Sequence, residues 1–236
     1  MIIAAHQPNF IPWLGLFYKI YKCDKFIFVD DVQISTNNGI AAHRNIIKTP
    51  QGIQYVRVPI HRHSKTNYNE ALINYKEPWV KKLEKTLYLN YQKAPFYEEV
   101  MSWFMDICKT GYEYLSELNI RIIEDICIRF DMDRGFEKSS DYHIEGKKEE
   151  MVLNLVKLFG GDVYYSGTGA ADYLREEDFE KEGMKLIFSD YSTIRYKQIW
   201  RNNIDDLSVL DYLFNCGFHN PFPEKDCSVN IDNKIC

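Results

Sequence analysis

The sequence predicts an α/β fold with a parallel-rich sheet that opens with a βαβ unit. Three segments near the start carry this prediction: a β run at 2–5, apolar residues with helical spacing at 14–21, and a second β run at 25–29. A single helix between two short β runs implies that the runs are parallel neighbours. Pro8 and Pro12 bracket the turn after the first run, which therefore cannot be helical throughout.

The middle of the chain is predicted to be helical. A loop rich in Gly and Asn at 37–42 precedes an alternating, half-buried strand at 54–60. Apolar residues then recur at spacings of three and four, which predicts helices at 78–91, 95–109 and 112–130. We expect this block, about 77–132, to be a helical insertion in a single α/β domain that covers 1–236.

The last third returns to an alternation of helices and strands, which supports the α/β class. The predicted elements are a helix at 147–159, a strand at 162–166, a glycine-containing turn into a helix from about Ala170, a strand at 184–188 and a helix at 207–216. The segment from about 221 to 236 is predicted to be a polar tail.

The composition excludes several classes of protein. Hydrophobic residues make up 45% and charged residues 27% of the chain, a balance typical of a globular protein with a substantial core. The formal net charge of -5, without clustered Lys and Arg, argues against a nucleic-acid partner. The start lacks the features of a signal peptide, and no segment has the roughly 18 uninterrupted apolar residues of a membrane span. We therefore expect a cytoplasmic protein without a membrane span.

The best candidates for catalysis lie at the ends of the first two predicted strands. His6 ends the first run, and Asp30 and Asp31 end the second. Ligands of open parallel sheets bind beyond the carboxyl ends of the strands, so these side chains are expected to converge on one crevice. A carboxylate beside His6 would orient the imidazole as a base. The alternative is that His6 hydrogen-bonds backbone in a buried turn and Asp30 caps the next loop.

Two further segments could bind an anion. Arg44 could form paired hydrogen bonds with a phosphate or carboxylate, and Asn45 could donate to a sugar hydroxyl or a carbonyl, although a solvated basic turn is the alternative. The loop from Ser166 to Gly169 offers backbone amides at a predicted helix start, although a tight turn explains its glycines equally well.

Metal and disulfide chemistry are not indicated by the spacing of the ligand-forming residues. His61 and His63 would share one face of a strand, but no residue is nominated as a third ligand. The six cysteines contain no CxxC pair, which argues against a zinc ribbon or a disulfide framework and favours reduced thiols. We expect no metal.

Several motifs resemble those of the WbqC-like family. They are HQPNFIPWLGLFYKI from His6, FVDDVQ from Phe28, RNIIKTPQG from Arg44, YYSGTGAADYL from Tyr164, and YKQ from Tyr196, and the similarity extends to about Gly217. Tyr55 and Phe17 depart from the expected tryptophan and tyrosine. Catalysis is expected at His6, Asp30 and Asp31. Substrate binding is expected at Gln7, Asn9, Trp13, Gln33, Arg44, Asn45, Ser166, Gly167, Tyr173, Tyr196 and Gln198.

The resemblance implies a role in building a bacterial surface polysaccharide such as O-antigen. A second similarity, to nucleotidyltransferase-type HUP folds, implies a Rossmann-like or HUP-like sheet. The HxGH sequence of those enzymes is absent, because Trp13 to Leu16 occupies the comparable stretch. That departure argues against ATP activation.

Three functions follow from these observations. The first is a transferase that forms an amide on a nucleotide-linked amino sugar, using a thioester or an activated amino acid as acyl donor, with His6 as base and Arg44 on the diphosphate. The second is an ATP-dependent ligase or nucleotidyltransferase of the HUP type. The third is a protein that binds a glycan precursor without catalysis. The sequence specifies neither the cofactor nor the sugar, and a homo-oligomer is left open.

Overall fold

The computed structural model describes residues 1–34, 42–61, 66–132 and 134–222. The predicted loop up to residue 41, His63 and nearly all of the predicted polar tail lie outside these described residues.

The described residues form seven strands and seven α-helices. The strands are β1 (Ile2–His6), β2 (Lys25–Phe28), β3 (Arg44–Thr49), β4 (Gly52–Arg57), β5 (Gly135–Lys138), β6 (Val163–Ser166) and β7 (Lys185–Phe188). The α-helices are α1 (Leu14–Lys22), α2 (Trp79–Tyr91), α3 (Tyr97–Lys109), α4 (Leu115–Arg129), α5 (Glu149–Leu158), α6 (Glu176–Lys181) and α7 (Val209–Cys216). Short 3-10 turns lie at Tyr68–Glu70, Ser139–Asp141 and Thr168–Ala170.

Five strands form a parallel sheet in the order β5-β2-β1-β6-β7. This confirms the predicted α/β class and the opening βαβ unit. Side chains alternate between two hydrophobic cores, one on each face: Ala4 and Phe26 face one core, whereas Ile3, Ala5 and Ile27 face the other. Both faces are covered, as parallel sheets require.

The pairing of β1 with its two neighbours is unequal. β1 pairs with β2 at four positions, from Ile3 to His6, but with β6 only at Ile2 and Ile3. Beyond Ile3 the two strands have no paired residues, so the sheet opens between the carboxyl ends of β1 and β6.

The secondary structure differs from what the sequence indicated in three places. The segment from Arg44 is the strand β3, which pairs antiparallel with β4, rather than a basic turn that precedes a strand. Strand β5 was not predicted, and it forms an edge of the sheet beside β2. The helix predicted from about Ala170 is a single 3-10 turn, and α6 begins only at Glu176.

Helices α2, α3 and α4 lie within the predicted helical block and pack in the same core as α1 and α7. Tyr91 of α2 stacks on Phe214 of α7, with ring centroids 4.5 Å apart. The Tyr91 hydroxyl also donates to the Asp211 carboxylate at 2.7 Å. These contacts join the helical block to the last helix.

Two buried asparagines hold the turn that follows β1. The amide nitrogen of Asn45 donates to the carbonyls of Phe10 at 3.3 Å and Ile11 at 2.8 Å. The amide nitrogen of Asn119 donates to the carbonyl of Pro8 at 2.8 Å. Ile11 needs this support because its φ of 39° lies in the left-handed region, which a β-branched residue rarely adopts.

We expect Asn45→Ala to lower the free energy of unfolding by about 2 to 3 kcal/mol, because it leaves buried carbonyls without a donor. Urea unfolding measures this change. Asn203→Ala is the control, since Asn203 is exposed and its replacement should change stability by less than about 0.5 kcal/mol. Equal stability of the two variants would contradict the structural role of Asn45.

Candidate functional site

A cavity of about 450 Å³ lies at the opening between β1 and β6. Counting only the strands of this sheet in chain order, the strand order is 3-2-1-4-5, so the chain reverses direction across the sheet between these two strands. Ligands of open α/β sheets bind at this topological switch point. The lining residues are Ala5, His6, Gln7, Lys19, Val29, Val32, Lys148, Met151, Val152, Leu155, Tyr164, Ser166, Gly167, Gly169, Ala170 and Tyr173.

Lys19 of α1 reaches into the opening between the strands. Its Nζ atom donates to the Ala5 carbonyl at 2.7 Å, and the residue is only 6% exposed. The carbonyls of Ile2 and His6 bond to the β2 side, so the Ala5 carbonyl faces the β6 side. The ammonium thus satisfies a backbone acceptor that β6 leaves unpaired.

The imidazole of His6 is half-buried in the wall of the cavity. Its Nδ1 atom lies 2.8 Å from the Gln7 carbonyl oxygen, a contact that requires Nδ1 to carry the proton. In the neutral ring Nε2 then carries the lone pair. Burial, together with the charge of the nearby Lys19, lowers the pKa of His6 from 6.5 to about 4, so the ring is neutral at pH 7.

A smaller cavity of about 120 Å³ adjoins the same residues. His6, Lys19 and Gly167 line both cavities. Trp13 forms a wall of the smaller one and meets Tyr191 edge to face, with ring centroids 5.2 Å apart.

Gly15 is needed for this wall. A Cβ atom at position 15 would lie 2.5 Å from the indole ring of Trp13, closer than real contacts allow. A side chain there would therefore displace Trp13.

The charge of the two cavities is opposite to that of the whole chain. Neither cavity has an Asp or Glu among its lining residues, whereas Lys19 and Lys148 line the larger one. The chain has a formal net charge of -5, so this is a local positive site in an acidic protein. Such a site favours an anionic ligand.

Asp30 and Asp31 do not join His6. Asp30 lines a different cavity, of about 510 Å³, and its carboxylate accepts hydrogen bonds from Ser139 and Ser140. Asp31 accepts from the Ser139 hydroxyl. Among the described residues His6 has no carboxylate partner, so the expected convergence on one crevice is wrong. The Gln7 carbonyl occupies the orienting position instead.

Several predicted binding residues also lie elsewhere. Arg44 lines neither of the two cavities, and its guanidinium lies 5.0 Å from the ring centroid of Tyr55. Asn45 is fully buried under the turn after β1 and cannot reach a ligand. Asn9 accepts from the Tyr68 hydroxyl at 3.0 Å, and Gln33 is exposed.

Tyr196 and Gln198 belong to a network that supports the fold. The Tyr196 hydroxyl donates to Asp211 at 2.8 Å, and the Gln198 side-chain oxygen accepts from Lys48 Nζ at 2.6 Å. Burial raises the pKa of Asp211 despite these hydrogen bonds. These contacts hold the segment before α7 against β3. Neither Tyr196 nor Gln198 lines the two cavities, although both were predicted to bind substrate.

Six predicted site residues do come together: His6, Gln7, Trp13, Ser166, Gly167 and Tyr173 line the two cavities. Sequence reasoning missed Lys19, Tyr164 and Lys148. A signal for Lys19 was present, because Leu16, Lys19 and Cys23 are spaced by three and four, and Leu16 and Cys23 are buried. A lysine on a buried helical face needs a partner.

Among the residues that the structure describes, no group of three or more His, Cys, Asp or Glu side chains could hold a metal ion. In the same part of the chain, no helix combines the length and the apolar character that a membrane span requires.

Similarity to known proteins extends over most of the chain. The profile of the WbqC-like protein family matches residues 7–221. An uncharacterized protein of Mycobacterium tuberculosis, Rv1507c, is 33% identical over 223 residues, which make up 93% of this chain and 95% of that protein. No solved structure matches this chain. Both Lys19 and Tyr164 fall inside the family match.

We expect the buried His6 to make stability depend on pH. The folded pKa of about 4 lies below the ordinary 6.5, so between these values the unfolded chain binds the proton and the folded chain does not. Stability is therefore lost as the pH falls from about 6.5 to about 4, by up to about 3 kcal/mol. Urea unfolding of wild type and His6→Asn across this range measures the difference between the two curves.

The exposed His143 supplies the control, since its side chain is 91% exposed. His143→Asn should follow the wild-type curve. A His6→Asn curve parallel to wild type from pH 6.5 to 4 would contradict the burial of a neutral imidazole.

Proposed function

We propose a transferase function for this chain, which belongs to the WbqC-like protein family. The protein forms an amide by acyl or aminoacyl transfer onto a nucleotide-linked amino sugar in bacterial surface-polysaccharide biosynthesis. The pathway rests on what the family resemblance implies. The reaction class rests on the geometry at the switch point.

One observation carries the proposal: His6 and Lys19 line both the larger and the smaller cavity. A group-transfer enzyme must bring an acceptor and a donor together in reacting distance. Two adjoining cavities that share an imidazole provide a place for each reactant. We assign the nucleotide-linked amino sugar to the larger cavity and the acyl group of the donor to the smaller one.

His6 is the proposed general base. The amine nitrogen of the sugar attacks the donor carbonyl carbon, and its proton passes to Nε2 of His6 as the new C–N bond forms. The imidazolium then returns the proton as the thiolate or phosphate of the donor leaves. A low pKa makes imidazole a weak base for a free ammonium group, but an amine becomes far more acidic once it has attacked.

We assign stabilisation of the oxyanion of the tetrahedral intermediate to the turn after β6. Gly167 and Thr168 line the smaller cavity, and the Thr168 and Gly169 amides lie in the first turn of the 3-10 segment, where amides lack internal acceptors. Amides that point at a developing negative charge accelerate acyl transfer. Asp30 and Asp31 have no part in this step, because Ser139 and Ser140 bind their carboxylates and neither residue lines the two cavities.

An ATP-dependent ligase is the second candidate, and the strand order favours it. The order 3-2-1-4-5 is that of sheets that bind nucleotides at the switch point. This candidate predicts magnesium-dependent release of pyrophosphate and a higher melting temperature with ATP and magnesium. Absence of both effects would remove it.

We expect the purified protein, given a UDP-linked amino sugar and a panel of acyl thioesters and activated amino acids, to increase the mass of the sugar by one acyl group. His6→Ala should lower the turnover rate by about 100- to 10,000-fold, the usual contribution of a general base. Mass spectrometry of the sugar nucleotide measures both.

His143→Ala is the matched control, because its exposed side chain lines neither cavity. Undiminished turnover in His6→Ala would remove His6 from its role. Saturable binding of the sugar nucleotide without any product would favour a non-catalytic glycan-precursor binding protein instead.

A further inference from the structure

We propose that Lys19 and Tyr164 form an oxyanion-binding subsite in the larger cavity, which holds a phosphate or carboxylate group of the substrate. This inference deepens the proposed function, on which the identity of the ligand rests. The subsite takes the anchoring role that the sequence had suggested for Arg44, which lines neither cavity.

The ammonium of Lys19 is buried without an opposite charge. It donates a hydrogen bond to the neutral carbonyl of Ala5, and no carboxylate of the described chain lies within ion-pair distance of it. An ammonium group has three donors, and one of them is accounted for here. Burial of an unpaired charge is strongly unfavourable, so a site that keeps one is suited to an anion.

Tyr164 is a second, independent indication of a ligand. The residue is 4% exposed and lines the larger cavity, yet its hydroxyl has no hydrogen-bond partner within the described part of the chain. Its ring is fixed, since it stacks on Phe179 with an interplanar angle of 14° and lies 5.8 Å from Lys19 Nζ. The hydroxyl oxygen is accessible from the cavity, where a ligand oxygen would pair it.

The titratable groups around Lys19 come from several elements. They are His6 of β1, Cys23 after α1 and Tyr164 of β6, with Lys148, Tyr173 and Tyr191 at the two cavities. Asp190, after β7, is held by the hydroxyls of Tyr18 and Tyr165. None of the groups at the cavities is an acid that is ionised at pH 7, so the ligand supplies the negative charge.

The pH dependence of binding follows from this environment. Burial lowers the pKa of Lys19 to about 8 in the empty cavity. A bound anion favours the charged ammonium and raises this pKa again. Above about pH 8 the free protein loses the proton that binding requires, so affinity falls by about tenfold per pH unit.

The ligand also has an apolar part beside the anion. Met151, Val152 and Leu155 of α5 line the same cavity as Lys19. A nucleoside phosphate and an acyl carboxylate both combine such a group with an oxyanion. UDP and hexanoate therefore serve as separate probes of the two sources.

The experiment is calorimetric titration of the purified protein with UDP and with hexanoate at pH 7.5. We expect saturable binding of at least one of them; UDP alone identifies a phosphate and hexanoate alone a carboxylate. Lys19→Gln keeps a donor for the Ala5 carbonyl but removes the charge, and should weaken binding by about tenfold to a hundredfold. Tyr164→Phe should weaken it by about three- to tenfold.

Lys22→Gln is the matched control, because Lys22 lies on the same helix but lines neither cavity. The affinity of this variant for the two probes should equal that of wild type. A purely structural Lys19 would lower the melting temperature in Lys19→Gln and leave affinity unchanged, which would overturn the proposal. If that variant does not fold, wild-type binding at about pH 7.5 and 9 decides, since UDP keeps its charge in this range.

Binding of neither probe to wild type would also overturn the subsite. Turnover in the transferase assay that survives in Lys19→Gln would contradict the subsite without contradicting the transferase. Binding that depends on Lys19 in the absence of any turnover would support the subsite and contradict the transferase alone.

Discussion

The hydrogen bond from the Lys19 ammonium to the Ala5 carbonyl is the interaction on which the architecture of the site depends. Strands β1 and β6 pair only at their beginnings, and this bond satisfies the acceptor exposed where they separate. A buried carbonyl without a hydrogen-bond donor in that position would be unfavourable, because β6 supplies no donor there. Lys19 therefore permits the sheet to open at its centre, and it brings a positive charge into the opening.

The imidazole of His6 and the ammonium of Lys19 influence each other's protonation. The Nδ1 atom of His6 donates to the Gln7 carbonyl, and burial together with the ammonium beside the ring keeps the imidazole neutral. Each group thus depends on the other: a protonated His6 next to Lys19 would place two cations in one buried site. A bound anion would relieve this repulsion, so ligand binding and the protonation of both groups are coupled.

Hydrophobic periodicity was sufficient to predict the βαβ unit and the helical block, because alternation and helical spacing were regular there. It failed at β5, whose two outer residues are exposed and whose two inner residues are only partly buried. That omission explains the error at Asp30: the serines that bind its carboxylate follow directly after β5. The error at Arg44 has the same origin, since the residue begins a strand of a separate hairpin rather than a loop.

The candidate site was partly predictable for a related reason. His6 ends β1, and Gln7 and Gly167 directly follow strands, whose carboxyl ends meet at one edge of a parallel sheet. Lys19 lies on a helix, and its approach to the sheet depends on the strand order, which no local pattern specifies. Tyr164 reads as an ordinary buried strand residue until the cavity beside it is known.

The decisive measurement is a crystal structure of the protein with a UDP-linked amino sugar. We expect a phosphate oxygen about 3 Å from Lys19 Nζ, within the opening between β1 and β6, and the sugar amine facing His6 Nε2. A ligand bound instead in the cavity beside Asp30, with the Lys19 ammonium still unpaired, would contradict this expectation.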